Sequence, residues 1–228
     1  MSAEAHARIR RGLFITLEGI EGSGKSLQIL RMNAYLAGKG IPCLLTREPG
    51  GTEFGMSLRR VLLYRSGVSR EPVSELLIYL ADRYQNLREK VVPALERGIT
   101  VLSDRYHDAT RAYQGAARGV PLETIDALAR VLGIREPDGT ILLDLEPEVG
   151  LARARDRDQA TVSEMDEGRF EAEELSFHEA VRAAYLELAH RWPERIRVVP
   201  ARGTPDEVFS RITPHLEEWI ATIDHEKK

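Results

Sequence analysis

The run Gly19-Ile20-Glu21-Gly22-Ser23-Gly24-Lys25-Ser26 fits the pattern G-x-x-x-x-G-K-[ST], in which a glycine-rich loop between a strand and a helix cradles phosphates. Its flanks have the required character: Gly12 to Glu18 is short, apolar and β-branched enough for a buried strand, and Leu27 to Gly38 reads as a helix closed by glycine. Glycines let the backbone turn so that successive N–H groups face a phosphate. The helix N-terminus adds its positive end, and Lys25 supplies a mobile charge for the β- and γ-phosphates. The expected nucleotide contacts are Gly19, Glu21, Gly22, Ser23, Gly24, Lys25, Ser26 and Leu27, with Lys25 exposed as a phosphate ligand and the Ser26 hydroxyl offered to Mg²⁺. A plain glycine turn between strand and helix is the alternative.

With 228 residues and 43% hydrophobic content, the chain can bury one sizeable core, and a single domain over 1–228 is expected. A formal charge of -4, from 36 acidic against 32 basic residues, gives no global field toward nucleic acid or an anionic membrane, so neither is expected as a partner. Only five of the basic residues are lysine; the rest are arginine, whose planar fork suits bidentate phosphate recognition, although a general arginine bias accounts for most of them. The single cysteine, Cys43, lies in the apolar run Ile41 to Leu45 and is expected as a small core residue in a reducing cytoplasm. Met1 to Arg11 is polar and basic without the apolar core of a signal peptide, and reads as a disordered tail.

Further strands are expected at Pro42 to Thr46, Ile99 to Ser103, Thr140 to Leu145 and Ile196 to Val199, with a long helix from about Pro72 to Arg97 and an irregular loop over Arg47 to Thr52. Strands alternating with helices imply crossover connections, hence an α/β fold with a five-stranded parallel sheet covered by helices on both faces. The segment Arg153 to Glu174 is dense in charge and poor in large apolar residues. It is not expected to add much core, and reads as a surface insertion or a mobile lid.

Ligands of such sheets bind beyond the carboxyl ends of the strands. There the sequence places Glu21 and Lys25, then Arg47, then Asp104 and Arg105, and finally the helix carrying Arg153, Arg155 and Arg157. Carboxylates that can hold Mg²⁺ and arginines on several sides of a phosphate loop are what phosphoryl transfer needs, since its catalysis is mainly positioning and charge neutralisation. Asp104 could instead cap a turn. Tyr79 and Arg83, four residues apart, share a helix face, where a ring could stack on a base while the guanidinium donates to its edge; a half-buried tyrosine beside a surface arginine is the plainer reading. The six histidines show no metal-ligand spacing and read as structural or surface residues.

Five motifs in order, GIEGSGKS, TREPGGT at Thr46 to Thr52, LLIYLADR at Leu76 to Arg83, SDRY at Ser103 to Tyr106 and AYQG at Ala112 to Gly115, give a chain that resembles the bacterial-type thymidylate kinases, P-loop nucleoside monophosphate kinases. The resemblance implies a P-loop NTPase fold with a mobile lid, a homodimer, ATP and Mg²⁺ as cofactors, and dTMP as the acceptor. It further implies that Arg47 and Arg105 grip the acceptor phosphate, Tyr79 stacks on thymine, Arg83 donates to O4, and Thr110 and Gln114 face the base. Tyr113 would lie under the deoxyribose, and Glu21 would meet the 3′-hydroxyl. Because the loop carries no arginine, the family pattern implies one from the lid, with Arg153 the first choice and Arg155, Arg157 and Arg169 the other candidates. Arginine at O4 would meet a donor with a donor if cytosine bound, whereas the thymine methyl is worth only ~1–3 kcal/mol over uracil. A kinase for another nucleotide or nucleoside, or a non-catalytic nucleotide switch, is the rival reading.

Overall fold

The computed structural model describes residues 12–64, 69–160, 169–170 and 172–225, with the backbone alone at 157–160 and 223–225. The expected tail at 1–11, residues 161–168 and 171 of the expected lid, and the side chain of Arg157 lie outside the described residues.

Five strands, β1 (Phe14–Glu18), β2 (Cys43–Arg47), β3 (Thr100–Asp104), β4 (Gly139–Asp144) and β5 (Ile196–Pro200), form one sheet in the order β2-β3-β1-β4-β5. Every pairing is parallel, and β1 lies at the centre, with all five of its residues buried. Side chains alternate along a strand, so adjacent residues serve opposite faces. Phe14 and Val101 join Leu87, Val91, Ala94 and Leu95 on one side, while Ile15, Leu17 and Leu102 join Ile29, Met32 and Leu36 on the other. This two-sided burial is why the strands read as continuous apolar runs.

The helices are α1 (Lys25–Gly38), α2 (Glu53–Leu63), α3 (Pro72–Asn86), α4 (Val92–Glu96), α5 (His107–Thr110), α6 (Leu122–Val131), α7 (Pro147–Ala160), α8 (Leu175–Arg191) and α9 (Pro205–His225). The expected long helix is present, and a π-helical turn at Leu87–Val91 joins α3 to α4. A second π-helical stretch, Arg111–Ala117, continues α5. Strand ends differ from expectation by one or two residues, and one of these shifts matters. β2 runs through Arg47, which stands in register with Asp104.

Helix α2 was not anticipated, although its signal is local: Thr52 caps it, its hydroxyl accepting from Gly55 N at 2.9 Å, and Glu53 opens the first turn. Cys43 is half-buried rather than a core residue, and burial pushes its thiol up to about 11. The charged segment after Arg153 also contributes core where it is described, because Ala154 and Phe170 are buried and Phe170 packs edge-on against Tyr113. Its single aromatic near the downstream end carries this anchoring, which average composition hides.

Candidate active site

The loop after β1 turns through Gly22 (φ 70°) and Gly24 (φ 93°), backbone conformations that only glycine adopts without strain. At Gly22 a Cβ would also lie 2.0 Å from the carbonyl oxygen of Gly150. The first turn of α7 therefore rests directly on the phosphate loop, and Gly22 leaves no room for a side chain there. Gly24 precedes α1, whose free N–H groups open toward the loop.

Lys25 corrects the expectation of an exposed ligand. It is only 8% exposed, with Nζ donating to Gly19 O at 3.0 Å, Ile20 O at 2.8 Å and Ser23 Oγ at 3.4 Å. The flexible ammonium closes on the carbonyls of its own loop. Burial and then Arg105 lower its pKa to about 8. Leu27, by contrast, is exposed on the first turn of α1.

Ser26 and Asp104, distant in sequence, meet at the carboxyl end of the sheet, where Ser26 Oγ donates to Asp104 Oδ2 at 3.1 Å. A hydroxyl and a carboxylate beside a phosphate loop make an all-oxygen set that suits a hard cation such as Mg²⁺. Arg47 flanks Asp104 across the β2–β3 ladder and is exposed, its Nη2 3.3 Å from Met56 Sδ.

Arg105 follows Asp104 in a left-handed conformation, φ 68°, that is uncommon outside glycine and turns its side chain back over the loop. Its Nη1 donates to Gly19 O at 2.9 Å and to Tyr185 Oη at 3.3 Å, and its Nη2 to Glu21 Oε1 at 2.7 Å. The Tyr113 hydroxyl also donates to Glu21 Oε1, at 2.7 Å. Burial alone would raise the Glu21 pKa; Arg105, His178 and Lys25 outweigh it and hold the carboxyl well below the usual range. Beneath this pair lies Glu18, which sequence reasoning passed over inside an apolar strand. It is fully buried, accepts from Tyr106 N and the Tyr185 hydroxyl at 2.7 Å each, and burial and then Asp108 push its carboxyl up to about 7.

The neighbouring wall is built on Arg83, which is buried rather than on a surface. Nε donates to Glu48 Oε2 at 2.7 Å, Nη1 to Thr110 Oγ1 at 2.8 Å, and Nη2 to Tyr106 O at 2.9 Å; His107 Nδ1 lies 3.3 Å from Nη1. A guanidinium has five N–H groups, so the protein engages four and leaves one on Nη2. Asn86 completes the support by donating to Glu48 Oε1 at 3.0 Å. Gln114, also buried, donates Nε2 to Glu75 Oε1 at 2.9 Å, and Glu75 in turn holds Arg169. Half-buried Tyr79 sits on the same helix one turn before Arg83. Glu48, Glu75 and Asn86 were missed because, as acids and amides in helices and loops, they look like any surface residue in one dimension.

Thus Glu21, Lys25, Arg105 and Tyr113 form one polar region beside the Ser26–Asp104 pair, and Arg83 with Thr110 and Gln114 with Glu75 form further polar pairs. Arg153 stands apart, exposed, with Nη1 3.3 Å from Ala201 O, and Arg155 is exposed on the same helix. Among the described residues no cluster of three or more His, Cys, Asp or Glu could hold a metal, and no helix is long and apolar enough to cross a membrane.

Comparison with known proteins places this geometry. The model of the family described as thymidylate kinase matches residues 17–212. The thymidylate kinase of Desulfosudis oleivorans is 48% identical over 206 residues, covering 90% of this chain and 96% of its own. That of Nitratidesulfovibrio vulgaris is 48% identical over 201 residues, covering 88% and 94%. The crystal structure of thymidylate kinase from Ehrlichia chaffeensis superposes with a TM-score of 0.71 at 29% identity, covering 90% of this chain and 98% of the other. The chain belongs to the thymidylate kinase family.

Proposed function

We propose that this enzyme transfers the γ-phosphoryl group of ATP to dTMP, giving dTDP and ADP. One observation carries the reading most directly: Arg105 joins the phosphate loop, through Gly19 O and Glu21, to the second polar region lined by Tyr113. A switch that only senses a nucleotide has no need of that second polar region.

A phosphate oxygen of dTMP attacks the γ-phosphorus as its bond to the bridging oxygen of ADP breaks. Catalysis of such a step is mostly alignment and charge stabilisation. Lys25 leaves its loop carbonyls for the β- and γ-phosphates of ATP, while the loop N–H groups from Gly19 to Ser26 cradle them and Leu27 lies alongside. Arg47 and Arg105 grip the acceptor phosphate, so that Arg105 exchanges Glu21 for the ligand. Glu21 and Tyr113 face the sugar. Tyr79 stacks on the base, the remaining Nη2 hydrogen of Arg83 reaches O4, and Thr110 and Gln114 line its other edge. Ser26 and Asp104 would hold Mg²⁺, which when bound neutralises phosphate charge.

At least one of Arg153, Arg155 and Arg157 on α7 acts mainly in the transition state. Its support is that α7 begins on the phosphate loop at Gly22 and Gly150, so a small rotation of the helix moves its arginines relative to the phosphates. The alanine variant of that residue is expected to lose kcat with little change in either KM; three variants that all keep kcat within about fivefold would move the charge to Arg169 or another site.

Val73, Leu77 and Tyr84 are exposed along one face of α3, beside Phe54 and Val61 of α2, and fit a second copy of the chain. A homodimer is therefore part of the proposal, to be read by light scattering, as is a cytoplasmic location in keeping with the free thiol of Cys43. The deciding experiment is a coupled ADP-release assay across dTMP, dUMP, dCMP, UMP and AMP. Turnover is expected with dTMP, weaker with dUMP and negligible with dCMP; turnover with AMP or dCMP ahead of dTMP would overturn the assignment.

A further inference from the structure

The carboxylate of Glu21 is served from one side. Oε1 accepts both the Arg105 and the Tyr113 hydrogen bonds, whereas Oε2 is buried and accepts none among the described residues. Across from Oε2 stands His178, in the first turn of α8, with Nδ1 at 3.4 Å. This imidazole is fully buried, and neither of its ring nitrogens has a hydrogen-bond partner among the described residues. Among the described residues His107 is also buried, but only one of its nitrogens lacks a hydrogen bond: Nδ1 lies against Arg83, while Nε2 stands 3.7 Å from Asp126. Buried polar groups are normally matched, so a histidine left open on both nitrogens calls for a physical reason. An apolar ring would serve packing better, since Phe177 and Tyr113 already line this pocket.

The reason lies in what Arg105 must do. In the structure its guanidinium neutralises Glu21. Once a phosphate draws that guanidinium away, the Glu21 carboxylate stays buried and loses its strongest partner, a costly state for a charge. His178 faces the one carboxylate oxygen that is still open.

We infer that His178 is a positioning residue, donating from Nδ1 to Glu21 Oε2 and holding the loop carboxylate in place when Arg105 turns to the acceptor phosphate. This rests on the role proposed above for Arg105.

The test is a double-mutant cycle on the full chain. His178→Phe keeps the ring and the burial but removes the donor, and His178→Asn restores an N–H near the Nδ1 position. Each is made alone and with Glu21→Gln, and kcat, both KM values and Tm are measured with ATP and dTMP. His178→Phe is expected to lower kcat about 10- to 100-fold with KM for ATP unchanged and Tm not reduced. His178→Asn should recover kcat to within about threefold, and His178→Phe should cost nothing further once Glu21 is Gln. Equal losses in the Phe and Asn variants, full kcat in the Phe variant, or losses that add to that of Glu21→Gln would overturn the inference. If His178→Phe does not fold, His178→Leu takes its place in the same cycle. Failure of the unmodified enzyme to use dTMP would instead overturn the function, a result visible before any variant is made.

Discussion

The carboxylates of Asp108 and Glu21 both meet arginines inside this molecule, and the two clusters are built to different standards. Around Asp108, Arg111 Nη1 and Arg195 Nη2 serve Oδ1 at 3.0 and 2.9 Å, while Arg195 Nη1 serves Oδ2 at 2.6 Å. Asp126 and Glu136 take further donors of Arg111, and Trp192 lies against both guanidinium groups. Around Glu21, one carboxylate oxygen is doubly served and the other open, Lys25 is bonded only to its own loop, and His178 is unmatched. The first cluster is a closed set that braces the helical segment after β3 against the starts of β4 and β5. The second is an open set whose partners can be exchanged for a ligand. What separates the two carboxylates is pairing: both oxygens of Asp108 accept hydrogen bonds, whereas Glu21 keeps Oε2 open.

Four measurements bear on that difference. Asp108→Ala should be the most damaging to the fold, since it takes from Arg111 and Arg195 the buried carboxylate they share, at a cost of about 3 kcal/mol. Chemical denaturation should show the loss while the folded fraction keeps its kcat. Lys25→Ala should do the reverse. Turnover should fall by about 10²- to 10³-fold with little change in Tm, because burial already disfavours the ammonium, whose pKa is lowered to about 8. A variant that unfolds would show that Lys25 belongs to the scaffold after all.

Glu18 lies under the site and should carry a pH signature. Its folded pKa of about 7 exceeds the ordinary carboxyl value of 4.5, so the folded state binds more protons between those limits. Its contribution to stability is full below about pH 4.5 and is lost as pH rises to about 7. Glu18→Gln should therefore gain on the unmodified protein by on the order of 2 kcal/mol between pH 5 and pH 8; parallel stability curves would remove Glu18 as the cause. The smallest effect is expected from Arg153→Ala, where an exposed side chain meets one backbone carbonyl. Stability should stay within about 0.5 kcal/mol, so any drop in kcat would report chemistry alone.

Much of this was legible in one dimension. The phosphate loop, the five strands and the helix through Asn86 follow from period and punctuation, and they place Lys25, Ser26 and Asp104 at the same sheet edge. Three features misled. Lys25 looked exposed because a lysine in a loop usually is, yet loop carbonyls capture it. Arg83 was expected to donate to a base edge, with a surface arginine the plainer alternative, yet it is buried and Glu48, Thr110 and Tyr106 O engage three of its five N–H groups. The acidic stretch after Arg153 looked coreless, yet Phe170 pins its far end against Tyr113.

Sequence alone determined the fold class and the chemistry of the phosphate end, because both depend on local patterns: apolar runs, glycines at fixed offsets, and a lysine and a hydroxyl at the start of a helix. Only the tertiary structure decided which polar residues are matched and which are left open. That property is a distance between groups far apart along the chain, such as Glu21 with Arg105 and His178, or Arg83 with Glu48. Carboxylates and imidazoles carry no local signature of burial; whether each one braces the fold or awaits a ligand is set by the neighbours that packing brings to it.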